Sequence, residues 1–396
     1  MKRILKITVI GASIALAMPA SLLAKEVATV GDAREELARG VATLAADPAF
    51  DHALREHVAS GKASLASVLT DIQTPASAET ISRLRDLERK VIELRGLTGA
   101  LDALIDVRVH GVADGAPLPA AAEFWTGTVT RDATSGDRLV VAFDPTGKEK
   151  HFPLDGLPAV PMLLVESDSS AAIQAGVSVM NETLRDKGMQ GVSRPRSFTR
   201  LTTHGAPPAG EEGADKRNVE QLTLLKRIYL ENDHEPNASG DAEVFAIVSG
   251  VGPDGKAQVI TKDMPWLDHD KRWYAPGMDL INWNDFGTNY VNVQLFEDDG
   301  DTNFKEIAEA VITAVGDLSV LIAPEAPAAL IVTGVSKIAN AVLKVMPSKW
   351  FKNSTDYIDS FYVIERGGNY GTDDKPLIGA RGEAHMVLVP YNVTNP

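Results

Sequence analysis

The residues best suited to chemistry are acidic and fall in three short stretches. In "LFEDDGDTNFKEI", Glu297, Asp298, Asp299 and Asp301 set four carboxylates within five positions. "ENDHEPNASGDAE" contributes Asp233, Glu235 and Asp241, with Asn232 and Glu243 as further oxygen donors, and "NYGTDDKPLIG" contributes Asp373 and Asp374. Two bare carboxylates about 5 Å apart repel by roughly 1 kcal/mol even in water, and a divalent cation reverses the sign. Calcium takes about six to eight oxygens in loose geometry, so these residues are the expected metal ligands. An EF-hand is excluded. A register starting at Asp299 puts Phe304 where glycine is required and Ala310 where the bidentate glutamate is required. Part of the acidity has a simpler use, because Asn303 followed by Glu306 fits a capping box and a helix start favours negative charge.

Two histidines sit among acids, His234 between Asp233 and Glu235, and His269 between Asp268 and Asp270. Either could serve as a base or metal ligand. Polar turn residues are the preferred reading of both. Trp266, Trp273, Tyr274 and Trp283 gather in one stretch, where such residues stack on ligands or fill a core. Neither the "HExxH" zinc helix nor the "GxSxG" elbow occurs, and the chain reads as having neither a Walker lysine loop nor a "GxGxxG" after a strand, so no phosphate-cradling loop is expected.

The elements that position these groups follow from pattern. The start, "MKRILKITVIGASIALAMPASLLAKEV", has the layout of a signal peptide over residues 1–24, which makes the mature chain secreted or periplasmic. Residues 25–105 read as a helical region, with Leu84, Leu87, Val91, Leu94, Leu101 and Ile105 on one helix face. Residues 106–201 read as a small antiparallel β region with a helix at "SAAIQAGVSVMNETLRDKG", and 202–218 as a linker. Residues 219–396 read as a β-sandwich into which a helical hairpin, 304–346, is inserted. The fold class is therefore α+β. Asp317, Glu325, Lys337 and Lys344 interrupt the hairpin, so no stable membrane span is expected.

With 396 residues and 44% hydrophobic composition the chain can form real cores, and without cysteine it has neither disulfides nor thiolate metal sites. Its formal net charge of -15 becomes about -18 once Lys2, Arg3 and Lys6 leave with the signal. A surface of that sign repels nucleic acid, which is excluded as a partner.

Two resemblances bear on this reading. The acidic loops, "LFEDDGD" and the closing "DDKPLIGARGEAHMVLV" resemble the calcium-binding second conserved domain of protein kinase C, although the helical insertion departs from that pattern. "RIYLENDHEPNASGDAEVFAIVSG", "LINWNDFGTNYVNVQLFEDDGDTNFKEIAEAV" and "YIDSFYVIERG" resemble an exported bacterial family known as domain of unknown function 3103. That resemblance implies secretion and leaves activity open. The leading expectation is a secreted, non-enzymatic binding or structural protein with a calcium-stabilised β-sandwich and an unknown ligand. The alternatives are a hydrolase using Asp233, His234 and Glu235 or the 297–301 acids, and a membrane-docking protein using the 304–346 hairpin.

Overall fold

The computed structural model describes residues 27–58, 61–72, 74–113, 116–131, 138–189, 219–232, 244–298, 300–316, 326–351 and 357–394. The expected signal, the 202–218 linker, Asp233, His234, Glu235, Asp241 and Asp299 lie outside them. The fold is mixed, with helices and several antiparallel sheets, as the α+β expectation required.

Helices α1 (Val30–Leu44), α2 (Pro48–His57), α3 (Leu65–Thr70) and α4 (Ala78–Leu94) open the chain, with a short strand β1 (Lys62–Ser64) between α2 and α3. Thr29 and Asp32 form a complete capping box at α1, and Asp47 caps α2 ahead of Pro48. The amphipathic face of α4 buries Ile81, Leu84, Leu87 and Val91, but the helix stops at Leu94. Leu101 and Ile105 are therefore not on its face; Ile105 begins a strand. The stop is a Schellman turn. Gly96 adopts φ +70° and donates to the Glu93 carbonyl, while Leu97 donates to Ile92, an arrangement that L side chains resist.

Strands β2 (Ile105–His110), β3 (Trp125–Arg131), β4 (Arg138–Phe143), β5 (Glu149–Pro153) and β6 (Met162–Ser167) join β1 in a sheet ordered β1-β2-β6-β3-β4-β5. β1 thus carries part of the helical region into this sheet. The sheet is not wholly antiparallel, because β6 returns between β2 and β3 and runs parallel to β3. Helix α1 packs across β3, β4 and β6.

After α5 (Ser169–Asp186) come β7 (Val219–Leu230), β8 (Val244–Val251), β9 (Ala257–Asp263), β10 (Trp273–Tyr274), β11 (Met278–Asn282) and β12 (Tyr290–Glu297). Then follow α6 (Phe304–Gly316), α7 (Ala328–Val345), β13 (Tyr357–Glu365), β14 (Leu377–Ile378) and β15 (Ala384–Thr394). They form two sheets, β10-β7-β15-β14 with β11 also on β7, and β13-β12-β8-β9. Strand alternation directs Leu225, Ile228, Met386 and Leu388 of the first and Val248, Val293, Leu295 and Ile358 of the second into one apolar cluster. Phe245, Ile247 and Phe296 belong to another cluster, which also takes in Phe304, Val335, Val342 and residues of α1 and α4. Helices α5 and α7 pack on that second sheet.

Buried amides fix α7 in place. Asn292 donates to the Val335 carbonyl at 2.9 Å and Gln294 to Ala339 at 3.2 Å. Asn292 also accepts the Val363 N–H at 2.8 Å, in a β-bulge where Val363 sits at φ +61°. By length and composition α7 could cross a membrane; in the fold it lies on β8 and β12.

Candidate functional site

The connection from β12 to α6 carries the densest run of expected ligands. Asp298 is turned inward, fully buried, and its carboxylate meets the guanidinium of Arg95, the residue that ends α4. Its other oxygen accepts the backbone N–H groups of Gly300 at 3.2 Å and Thr302 at 3.3 Å. Arg95 also lies over the Phe304 ring, 5.5 Å from its centre, and its carbonyl accepts the Phe304 N–H. Phe304 in turn packs edge-on to Phe245. Charge on this connection is thus matched internally by an arginine at the end of α4, and the connection is tied through Phe304 to the core that also holds Phe245. Glu297 is buried beside it. At the start of α6 the Asn303 side chain accepts the Glu306 N–H, the expected cap, while the Glu306 carboxylate takes the Asn303 side-chain amide instead of a backbone N–H.

Asp301 is one of the residues lining a cleft of about 800 Å³. One wall is basic. Arg131 ends β3, Arg138 begins β4, and the two are direct cross-strand partners, with His151 on the neighbouring β5. Acidic lining comes from Glu93 in the last turn of α4, itself paired with Lys90 at 3.1 Å, and from Asp301 and Glu306 around the start of α6. Helix α1 contributes Asp32, Arg34 and Glu35, with the Arg34 guanidinium lying against Gly300 beside Asp301, and Leu94, Val129, Leu139 and Val141 supply apolar lining. The Asp32 carboxylate and the Thr29 hydroxyl cap α1 against each other, so they are committed to the helix. His151 is hydrogen-bonded to Glu149 at 3.0 Å, and Arg39 reaches the same carboxylate at 2.8 Å. The His151 bond, with Arg39 adding to it, holds Glu149 below the usual carboxylate range.

The family described as "Protein of unknown function (DUF3103)" matches residues 34–396. The chain belongs to that family. The DUF3103 match begins at Arg34 inside α1, so Arg131, Arg138, Glu93, Asp301 and Glu306 of the cleft fall within it. No curated protein and no solved structure matches the chain.

The remaining expected ligands do not join this cleft. Asp373 is exposed and paired with Lys226 at 3.2 Å and Arg227 at 3.6 Å, both on β7. Lys226 chiefly, then Arg227, lowers its pKa. Asp374 is exposed beside it. Among the described residues, no three His, Asp or Glu side chains come together at a spacing that could hold a metal ion. His269 is exposed and bonded to the Asp268 carbonyl. The tryptophans divide: Trp283 is buried and donates to Thr223, Trp266 and Tyr274 pack at the edge of the second core, and Trp273 stands beside Tyr229.

A glycine pattern needs correction. Gly250, Gly252 and Gly255 carry "GxGxxG" spacing, and Gly250 to Lys256 also fits the Walker form until Ala257 replaces its Ser or Thr. A phosphate loop needs a helix after the strand, whereas here β8 turns directly into antiparallel β9 and Gly252 donates to Lys256 across the turn. The pattern is a hairpin.

Sequence reading also passed over Asp359. Its buried carboxylate accepts the N–H groups of Ser360, Arg381, Glu383 and Ala384 at 2.7 to 3.0 Å, and so folds "GARGE" against β13. Gly379 is required there because a side chain would strike that carboxylate. The turn within "DDKPLIGARGEAHMVLV", part of the calcium-domain resemblance, is therefore fastened by a carboxylate accepting backbone N–H groups.

Proposed function

We propose that this protein is an exported, non-catalytic binding protein whose cleft between α1, the β3–β4–β5 edge and the 301–306 segment holds a small polar ligand. One observation carries the reading. A cleft of about 800 Å³ gathers titratable side chains from α1, α4, β3, β4, β5 and the 301–306 segment, which is the size and mixed lining of a small-molecule site. Export to the periplasm or beyond is supported by Lys2, Arg3 and Lys6 ahead of an apolar stretch and small residues. A β-sandwich in the C-terminal half, as in the protein kinase C resemblance, is supported by the apolar cluster that the two last sheets share.

Calcium draws less support than the acidic stretches by themselves promised. Arg95 already stands against Asp298, and Lys226 and Arg227 against Asp373. Membrane docking through α7 would have to break the Asn292 and Gln294 bonds to its carbonyls. The test is thermal unfolding of the mature chain against a panel of polar small molecules, with millimolar calcium and chelator as separate arms. A ligand that raises the midpoint for the native chain but not for Arg138→Gln supports the cleft. Stabilisation by calcium alone, unchanged in Arg138→Gln, would replace this reading with the metal.

A further inference from the structure

From a row of side chains that crosses four strands of the β10-β7-β15-β14 sheet, we infer a second ligand site, a platform for a neutral, β-linked pyranose chain. It goes beyond the cleft and stands independently of it. Trp273 of β10 is the direct cross-strand partner of Tyr229 on β7, Tyr229 of His385 on β15, and His385 of Ile378 on β14. Direct partners share a face, so the four form one row on the side of the sheet opposite Ile228, Leu230 and Met386, which enter the core. Trp273 and His385 flank the Tyr229 ring, at 5.3 and 5.5 Å between centres. The row meets water: Ile378 is 58% exposed, and the three rings are each partly exposed. Three strand spacings make it roughly 14 Å long.

The surroundings of the row select the ligand. Its charges are matched locally. Arg227 lies over the Trp273 ring at 4.5 Å and pairs with Asp373 at 3.6 Å, and Lys226 reaches the same carboxylate at 3.2 Å. Glu231 accepts the Tyr229 hydroxyl at 3.5 Å, with His385 3.9 Å away. An ionic ligand gains little from a balanced patch, whereas neutral hydroxyls can add to guanidinium and carboxylate groups, which have more donors and acceptors than one pair uses. On β7 the row is one residue deep, because Arg227 and Glu231 stand two residues to either side of Tyr229. A protein partner covers about 800 Å². An extended peptide pairs along a strand edge and does not lie across four strands. A β-linked pyranose chain is a flat, straight ribbon with C–H groups on its faces and hydroxyls along its rims, and it advances by close to one strand spacing per ring. Its C–H faces meet the electron-rich aromatic row, while its hydroxyls reach Glu231 along one rim and Arg227 and Asp373 along the other.

The experiment is calorimetric titration of the mature chain with cellohexaose and hexa-N-acetylchitohexaose, and with glucose as the single-ring control. The expected result is binding of one or both hexasaccharides, with glucose weaker by about tenfold or more. Trp273→Ala and Ile378→Asp should each weaken hexasaccharide binding about tenfold. Ile378→Asp should also keep the native unfolding midpoint, since Ile378 is exposed. Arg138→Gln, in the cleft, should bind the hexasaccharides as the native chain does. Binding of neither hexasaccharide, binding untouched by both platform substitutions, or binding lost only in Arg138→Gln would overturn the platform. So would a dimer that Ile378→Asp dissolves while no hexasaccharide binds, which would make the row a contact with a second copy. The cleft is decided separately by the stability panel, so either site can fail without the other.

Discussion

Arg95 and Asp298, 203 positions apart, form an ion pair in which both side chains are fully buried. The pair joins the end of α4 to the acidic connection before α6, which also supplies one wall of the cleft. A stability element and the candidate site therefore share a backbone segment.

Breaking that pair from one side leaves a charge in the interior. Arg95→Met is expected to cost about 3–5 kcal/mol in urea unfolding, and the double variant Arg95→Met/Asp298→Leu to recover part of it. Recovery is incomplete because Asp298 also accepts the Gly300 and Thr302 N–H groups.

Asp359 should behave as a fastener for the β14–β15 turn. Asp359→Ala strips the acceptor from three N–H groups beyond its neighbour's and is expected to cost about 3 kcal/mol or more. Asp359→Asn keeps one acceptor oxygen and should cost less. Amide exchange at Arg381, Glu383 and Ala384 should accelerate before the rest of β15 in both.

The two amides under α7 should differ in weight. Gln294→Ala loses one bond to Ala339, about 1 kcal/mol. Asn292→Ala loses the bond to Val335 and also the one that supports Val363 in its left-handed conformation, where about 1–3 kcal/mol of strain is stored. It is expected to be the more damaging in chemical denaturation, and the native chain should cause no leakage from liposomes.

Alkaline stability should depend on two tyrosines. Burial first, then the bond to Asp268, pushes Tyr274 up to about 12, and burial pushes Tyr357 to about 12, against an ordinary value of 10.0. Both folded-state values are raised, so their contribution is complete below about pH 10 and is lost as pH rises from there through 12. Phenolate absorbance should show Tyr274 and Tyr357 among the last groups to titrate, and Tyr274→Phe should flatten the alkaline fall in the unfolding midpoint.

Strands and helices were legible where one period dominated. The alternation of "NYVNVQLFE" and "EAHMVLVPY" marks β12 and β15, and the steps of Ile331, Val335, Ile338 and Val342 mark α7. β10, β11 and β14 were not anticipated, since short edge strands gain most of their pairing from the neighbour and carry little pattern. The overrun of α4 to Ile105 came from counting apolar steps across Gly96, where backbone conformation outweighs side-chain period. The acids were visible, but their partners were not.

By itself the sequence determined the apolar faces, the turn glycines, the absence of thiol chemistry and the crowding of anions at Glu297 to Asp301, because each is a property of neighbouring residues. Only the tertiary structure decided that Asp298 turns inward to Arg95 while Asp301 lines one cleft together with Arg131 and Arg138. Which charge meets which is set by how distant elements pack, and burial then strengthens each pairing by removing the water that would have screened it.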